Sequence, residues 1–385
     1  MNIKYINLLQ KIVKIKEINA KTILRKHKKI DSWFVSRYGM NLYRGCTHNC
    51  VYCDGRAEKY NVEGSFGDEV TVKVNAIELL KKELEPKRKP LDPGYMLIGG
   101  GVGDSYQPVE KQYKLTRRVL ELLSEKDFPV HVLTKSVLVE RDVDILKKIN
   151  ENNRAIVSFS FSSADDKISE IFEPGVPPPS ERLETIKNLK KEGFSCGMYL
   201  MPVIPFISDK SPIMDFTLSE AKRVGVDFVV FSGMTLKDGR QREYFDNVLV
   251  NNYPELVVNY NNIYRGDKWG SAIGEYYESI HKTFSNLSRK HRIPVRIPSK
   301  LFKEYLKQDD LVIVLLEQID YMLKLQGRKS PYGFAAYYIS KLERPLYEMR
   351  NNLQKLKGVG PTTERIILEI LDTGTSSYYE KLINQ

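Results

Sequence analysis

The chain has 385 residues, 42% of them hydrophobic, and carries 60 Lys and Arg against 49 Asp and Glu, for a formal charge of +11. That length suggests one large domain plus one smaller one, no apolar run is long enough for a transmembrane helix, and four cysteines are too few for a disulfide framework. The N-terminus lacks the apolar stretch and cleavage site of a secretory signal, so a cytoplasmic protein without a membrane partner is expected, and the basic balance favours a polyanionic partner, most simply nucleic acid.

Residues 1–38 read as a basic, partly helical N-terminal extension containing "LRKHKKI". From about residue 70 short apolar runs alternate with amphipathic stretches. "GYMLIGGG" (94–101) is a strand ending in glycines, and "KQYKLTRRVLELLSEK" (111–126) a helix. "FPVHVLTKS", "AIVSFSFSS", "FSCGMYLMPVIP" and "VDFVVFSG" are further strands, separated by helices at "ERDVDILKKINEN", "PSERLETIKNLKKEG" and "FTLSEAKRVG". Ser180 is placed to cap the second of these helices. Repeated strand–helix units predict an α/β fold with a parallel sheet, a full or partial βα barrel whose chemistry sits at the C-terminal strand ends. "IPVRIP" (293–298) reads as a last strand or an ordered turn. From about 308 only helical patterns follow, separated by Gly or Pro breaks. The predicted organisation is an extension (1–38), a βα barrel (39–306) and a small all-α module (307–385).

"GCTHNCVYCDG" holds Cys46, Cys50 and Cys53 at Cys-x3-Cys-x2-Cys spacing on the loop after the first barrel strand. Thiolates bind zinc and iron–sulfur centres. A structural zinc site needs four ligands; Cys196 lies far along the chain, and His48 is the one local candidate for a fourth. Three thiolates alone suit a four-iron cluster with one iron open.

This loop, on a βα barrel, resembles the radical S-adenosylmethionine (SAM) superfamily. "NLYRGCTHNCVYCDGRAEKY", "GDSYQPVEK", "LTKSVLVERDVDIL", "FEPGVPPPSERL" and "MPVIPFISD" further resemble its spore photoproduct lyase-like, or DNA repair photolyase-like, branch, over residues 20–300. The resemblance implies that Cys46, Cys50 and Cys53 hold a [4Fe–4S] cluster, that SAM is cleaved there to a radical that takes hydrogen from a substrate, and that an electron donor such as ferredoxin or flavodoxin feeds the cluster. It implies SAM contacts from Gly103 and Asp104 in "GGGVGD", from Lys135 in "LTKS", from Ser160 (Ser158 being the alternative) and from Tyr52, an aromatic beside the cluster. The chain departs from the lyase at two positions: Gly101 stands where the lyase has its hydrogen-donor cysteine, and Asp54 where it has a tyrosine. Cys196 is expected to be a core residue rather than a replacement donor, while Tyr43, Tyr106 and Tyr199 are weaker candidates as radical relays.

"LQKLKGVGPTTERIILEIL" (353–371) has a Gly358-Val359-Gly360 turn between two helices, the pattern of a helix-hairpin-helix, whose exposed N–H groups suit a phosphate. With its flanking helices it resembles the N-terminal DNA-binding domain of family X DNA polymerases. That resemblance implies DNA contacts from Lys357, Gly358, Gly360, Thr362 and Thr363, without abasic-site lyase activity, because the matched lysine position is Ile366. The leading expectation is a radical SAM enzyme acting on DNA. The alternatives are modification of RNA, tRNA or protein, and a non-catalytic DNA-binding iron–sulfur protein.

Overall fold

The computed structural model describes residues 2–8, 11–60, 62, 64–85 and 90–385. A seven-stranded sheet carries the fold, in the order β11-β10-β9-β8-β7-β4-β3. Its strands are β3 (Leu24–Asp31), β4 (Ser36–Met40), β7 (Tyr95–Gly99), β8 (Val130–Thr134), β9 (Ala155–Phe161), β10 (Ser195–Val203) and β11 (Phe228–Gly233). All adjacent pairs are parallel except β3 with β4. Six parallel strands with helices between them make a half-barrel. Beside it β1 (Asn2–Leu8), β2 (Lys11–Ile18), β5 (Tyr43–Arg44) and β6 (Glu69–Lys73) form a second sheet, ordered β1-β2-β6-β5.

The expected helical extension is therefore not found among the described residues: the first 38 residues supply strands to both sheets. A boundary at residue 38 would cut β4. The physical reason is visible in β2, where Val13 and Ile15 are buried while Lys14 and Lys16 lie outside the core. That is a two-residue period, and lysines on the open face do not prevent a strand.

Every residue of β7 and β8 is buried, as expected for parallel strands covered on both faces. The outer face packs against the crossover helices, which include α1 (Ala76–Leu84), α2 (Glu110–Tyr113), α3 (Leu115–Glu125), α4 (Val143–Asn152), α5 (Asp166–Phe172), α6 (Pro179–Lys191) and α7 (Ser211–Arg223). Ser180 does not cap α6. Pro178 precedes the helix, and Ser180 lies inside it with its hydroxyl 2.7 Å from Asp166. After β11 come α8 (Arg240–Asn252), α9 (Val257–Ile263) and α10 (Gly274–His291). The "IPVRIP" segment is an ordered turn rather than a strand, tied to the sheet where Val229 N–H donates to Pro294 O at 2.8 Å.

The last four helices are α11 (Gln308–Leu325), α12 (Tyr332–Ile339), α13 (Pro361–Thr373) and α14 (Ser377–Ile383). The change to helices comes earlier than about 308, since no described strand follows β11 and α8, α9 and α10 precede α11, and the core does not stop at 306. Tyr95, Leu97, Leu133, Ile156, Tyr199, Phe228 and Val230, from the inner face of the sheet, share one apolar cluster with α11 and the helices around it. Polar ties cross the same boundary: Arg37 to Asp310 at 3.4 Å, and Lys29 to Glu317. The helical module thus fills the inner face of the half-barrel below its C-terminal rim. No described helix is long and apolar enough to cross a membrane.

Candidate active site

At the C-terminal strand ends lies a cavity of about 330 Å³. Cys46, His48, Cys50, Tyr52, Cys53 and Asp54 line it from one loop, Gly100–Asp104 from the turn after β7, Lys135 from the end of β8, and Ser160 from β9. Phe34, Leu133 and Met201 supply apolar wall, and Ser232–Thr235 close the far side.

The cysteine loop is held by contacts from distant segments. Val51 N–H donates to Phe172 O at 2.8 Å, and Gly175 N–H to His48 O at 3.1 Å. A β-carbon on Gly175 would stand 2.5 Å from Thr47 O, so only glycine lets the "FEPG" turn approach this closely. Gln107 bridges Thr47 N–H and Gly45 O, each at 3.0 Å. Arg56 donates to Cys50 O at 3.1 Å while its guanidinium stacks 3.5 Å from the Tyr244 ring.

Burial pushes the Cys50 thiol up to about 12 and raises Cys46 and Cys53 as well. Such thiols ionise only when a cationic centre takes their charge. Cys53 Sγ already accepts the Gly55 N–H at 3.4 Å. Among the described residues no group of three or more His, Cys, Asp or Glu side chains is arranged around a single ion. The closed zinc site completed by His48 is therefore not formed, and His48 Nδ1 instead lies 3.4 Å from Asp104 without a hydrogen bond. Three thiols lining one cavity, those of Cys46 and Cys50 on buried residues and that of Cys53 on a half-buried one, fit a multi-iron cluster, in which each thiolate takes a different iron. Cys196 is elsewhere, wholly buried in the core on the outer face of the sheet.

Asp104 is more committed than the sequence suggests. Its Oδ1 accepts from Tyr106 N–H and Thr134 Oγ1, both at 2.8 Å, and its Oδ2 from Lys135 N–H at 2.7 Å. The carboxylate thereby fixes the glycine turn against β8. Lys135 Nζ sits 2.9 Å from Glu173 and 3.2 Å from Ser160 O. Glu173, unrecognised in the sequence, is the hub of this wall: it accepts from Tyr52, Lys135, Arg182 and Ser169. Burial alone would raise its pKa, but the Arg182 guanidinium and Lys135 ammonium outweigh that and hold it well below the usual carboxylate range. Ser160 lines the cavity, whereas Ser158 is buried against His131. Asp54 binds Thr235 and Lys237, each at 2.8 Å. Tyr43, Tyr106 and Tyr199 do not line the cavity; Tyr43 binds Glu110 and Tyr199 binds Trp33 O.

Residues 40–218 match the radical SAM superfamily. An uncharacterised protein of Methanocaldococcus jannaschii is 32% identical over 223 residues, 57% of this chain and 78% of that protein. The chain belongs to the radical SAM superfamily. An uncharacterised protein of Mycobacterium tuberculosis (strain ATCC 25618 / H37Rv) is 29% identical over 261 residues, 67% of this chain and 75% of its own. Among solved structures, a spore photoproduct lyase variant superposes with a TM-score of 0.54 at 16% identity, covering 72% of this chain and 79% of that one. Another, solved with bound AdoMet and dinucleoside spore photoproduct, gives 0.51 at 17% identity over 69% and 78%. These likenesses establish a radical SAM half-barrel of the lyase type.

In the helical module, Gly358 and Gly360 flank a buried Val359, and Lys357 and Thr362 are exposed. Thr363 is not available as a contact, because its side chain is turned inward and only 3% exposed. It lies within the first turn of α13, on the side where the helix meets its core. Ile366 is also buried and faces a groove with Tyr332, Arg365 and Tyr378.

Proposed function

We propose that this chain is a radical SAM enzyme that abstracts hydrogen from a nucleic-acid substrate, most directly DNA, in lesion repair or modification. The observation that carries the reading is that one cavity gathers the three thiols, the glycine turn, Lys135 and Ser160 at the rim of the half-barrel. Cys46, Cys50 and Cys53 would hold a [4Fe–4S] cluster, and the Gly100–Asp104 turn, Lys135, Ser160 and Tyr52 would hold SAM. When bound, the two together supply one-electron cleavage of SAM to a 5′-deoxyadenosyl radical.

The chain's own work is to position and to exclude. Lys135 offers an ammonium to a carboxylate, and Glu173 fixes where that ammonium sits. With both Asp104 oxygens serving the loop, the carbonyls of the glycine turn are the freer acceptors for an ammonium group. Phe34, Leu133 and Met201 keep water from the reacting centre. Gly101, in the lyase donor-cysteine position, leaves nothing within 4 Å of where a side chain would begin, so the final hydrogen donor must differ from a thiol at that point.

DNA as substrate is supported by the net charge of +11 and by the hairpin, where Lys357, Gly358, Gly360 and Thr362 would meet a phosphate. The test is to reconstitute the protein anaerobically with iron and sulfide, reduce it, and quantify 5′-deoxyadenosine with and without damaged duplex DNA. Product stimulated by DNA supports the whole reading. Product indifferent to DNA moves the substrate to RNA or protein. No product from a loaded cluster favours a non-catalytic DNA-binding role.

A further inference from the structure

A second hollow, of about 640 Å³, opens where β3, the "IPVRIP" turn and α11 meet, and it shares no lining residue with the active-site cavity. Glu317, Tyr321 and Lys324 recur at helical spacing along α11 and form one wall, with Asp320 beside them. Arg296 enters from the turn, a single cation in an otherwise apolar hexapeptide. Its guanidinium lies 3.3 Å from the Tyr321 ring and 4.4 Å from that of Trp33.

Arg296 is only 3% exposed, and a charge so buried ordinarily has a carboxylate partner. Here its guanidinium donates to Val295 O at 3.3 Å and forms no ion pair among the described residues. A guanidinium has more N–H donors than that one bond uses. The carboxylates that line the hollow are committed elsewhere. Asp31 accepts the Trp33 and Phe34 N–H groups at 2.8 and 3.2 Å, Glu317 pairs with Lys29, and Asp320 Oδ2 pairs with Lys324 at 2.7 Å. Asp320 Oδ1, by contrast, is buried with no hydrogen-bond partner. The hollow thus presents an unpaired cation and an unused acceptor, beside the partly exposed ring of Trp33.

We propose that this hollow binds a small phosphorylated molecule of mononucleotide size, with its phosphate on Arg296, a hydroxyl donating to Asp320 Oδ1 and its flat base against Trp33. The guanidinium fork matches two oxygens of a phosphate. A bare anion would leave Asp320 Oδ1 without a donor, and an apolar ligand would leave Arg296 without an acceptor, each at the cost of a buried unsatisfied group. The volume falls among those of small-molecule sites, roughly 300–1,000 Å³.

Trp33 and Trp269 are the chain's two tryptophans, and Trp269 is 58% exposed, so Trp269→Phe leaves Trp33 as the reporter without disturbing the core. The test is tryptophan fluorescence of that full-length, cluster-loaded variant, titrated with inorganic phosphate, uridine, uridine 5′-monophosphate and a 5′-phosphorylated triuridylate, with and without SAM. Uridine 5′-monophosphate is expected to give a saturable change, with a Kd at least about tenfold below those of phosphate and uridine, and SAM is expected to leave it unaltered. Adding Arg296→Lys should weaken the mononucleotide about tenfold. Should that variant fail to fold, Asp320→Ala carries the test: it should weaken the mononucleotide severalfold and leave inorganic phosphate as before. No saturable change from any probe up to about 10 mM overturns the site. So does equal affinity for uridine and its monophosphate, or a folded Arg296→Lys protein that binds like its parent. A signal that SAM abolishes belongs to the active-site cavity and refutes a separate site. Tighter binding of the triuridylate refutes a small-molecule ligand in favour of the phosphorylated end of a strand.

Discussion

Cys46, Cys50 and Cys53 differ from Cys196 in what each thiol faces. The three line the cavity and sit among backbone donors and Lys135; Cys196 faces only core. Replacing any of the three by Ala is expected to abolish iron loading, read as iron and sulfide content and visible absorbance, and SAM cleavage with it. Cys196→Ala is expected to load normally and to cost about 1 kcal/mol in denaturant unfolding, the loss of one buried sulfur. Glu173→Gln leaves Arg182 and Lys135 as uncompensated buried charges and should destabilise by about 3 kcal/mol. His131 gives a pH signature. It is wholly buried, bonded to Phe34 O and Ser158 Oγ at 2.8 Å each, and burial lowers its pKa to about 4. Its folded value lies below the unfolded one of about 6.5, so its stabilisation is complete above pH 6.5 and lost as pH falls toward 4. Denaturant midpoints should show a loss of about 2 kcal/mol between pH 7.5 and 5, and His131→Gln should flatten that slope. The cysteines were legible because three thiols within eight residues have few uses. Glu173 was not, because its partners Tyr52, Lys135 and Arg182 meet it only through the fold.

At the scale of elements, the barrel strands were readable as short apolar runs ending in glycine or polar residues, since burial on both faces selects such runs. β2 and β3 were misread because each carries three lysines among its eight residues, and their alternation is short. The turn after α5 shows how one element governs another. It reaches the cysteine loop through Gly175, whose side-chain space is occupied by the Thr47 and His48 carbonyls. Gly175→Val is therefore expected to lower iron loading severalfold although no ligand is altered, with Gly274→Ala, whose β-carbon would meet nothing within 4 Å and whose backbone is not left-handed, as the control for glycine replacement. In the module, Gly358→Val should weaken binding of every DNA probe while leaving iron loading intact, because the hairpin and the cysteine loop lie in different elements.

At the scale of the molecule, the module is no removable appendage. Truncation after residue 306 would strip α11 from Tyr95, Leu97, Ile156, Phe228 and Val230 and expose that face of the sheet. The truncated chain is expected to aggregate on expression rather than yield a loadable barrel, which sedimentation of the lysate would show. The turn between β3 and β4 makes the connection specific. Phe34 lines the cavity and stacks on Tyr199 at 5.2 Å; its neighbour Trp33 stands 4.4 Å from the Arg296 guanidinium and 6.2 Å, edge-on, from the Tyr321 ring of α11, which Arg296 also meets at 3.3 Å. Through this stack, filling the cavity and tightening α11 become two readings of one free energy. Linkage then runs both ways: a ligand that settles against Phe34 is expected to slow amide exchange in α11, and anything that tightens α11 is expected to tighten the cavity's hold on its ligand by the same factor.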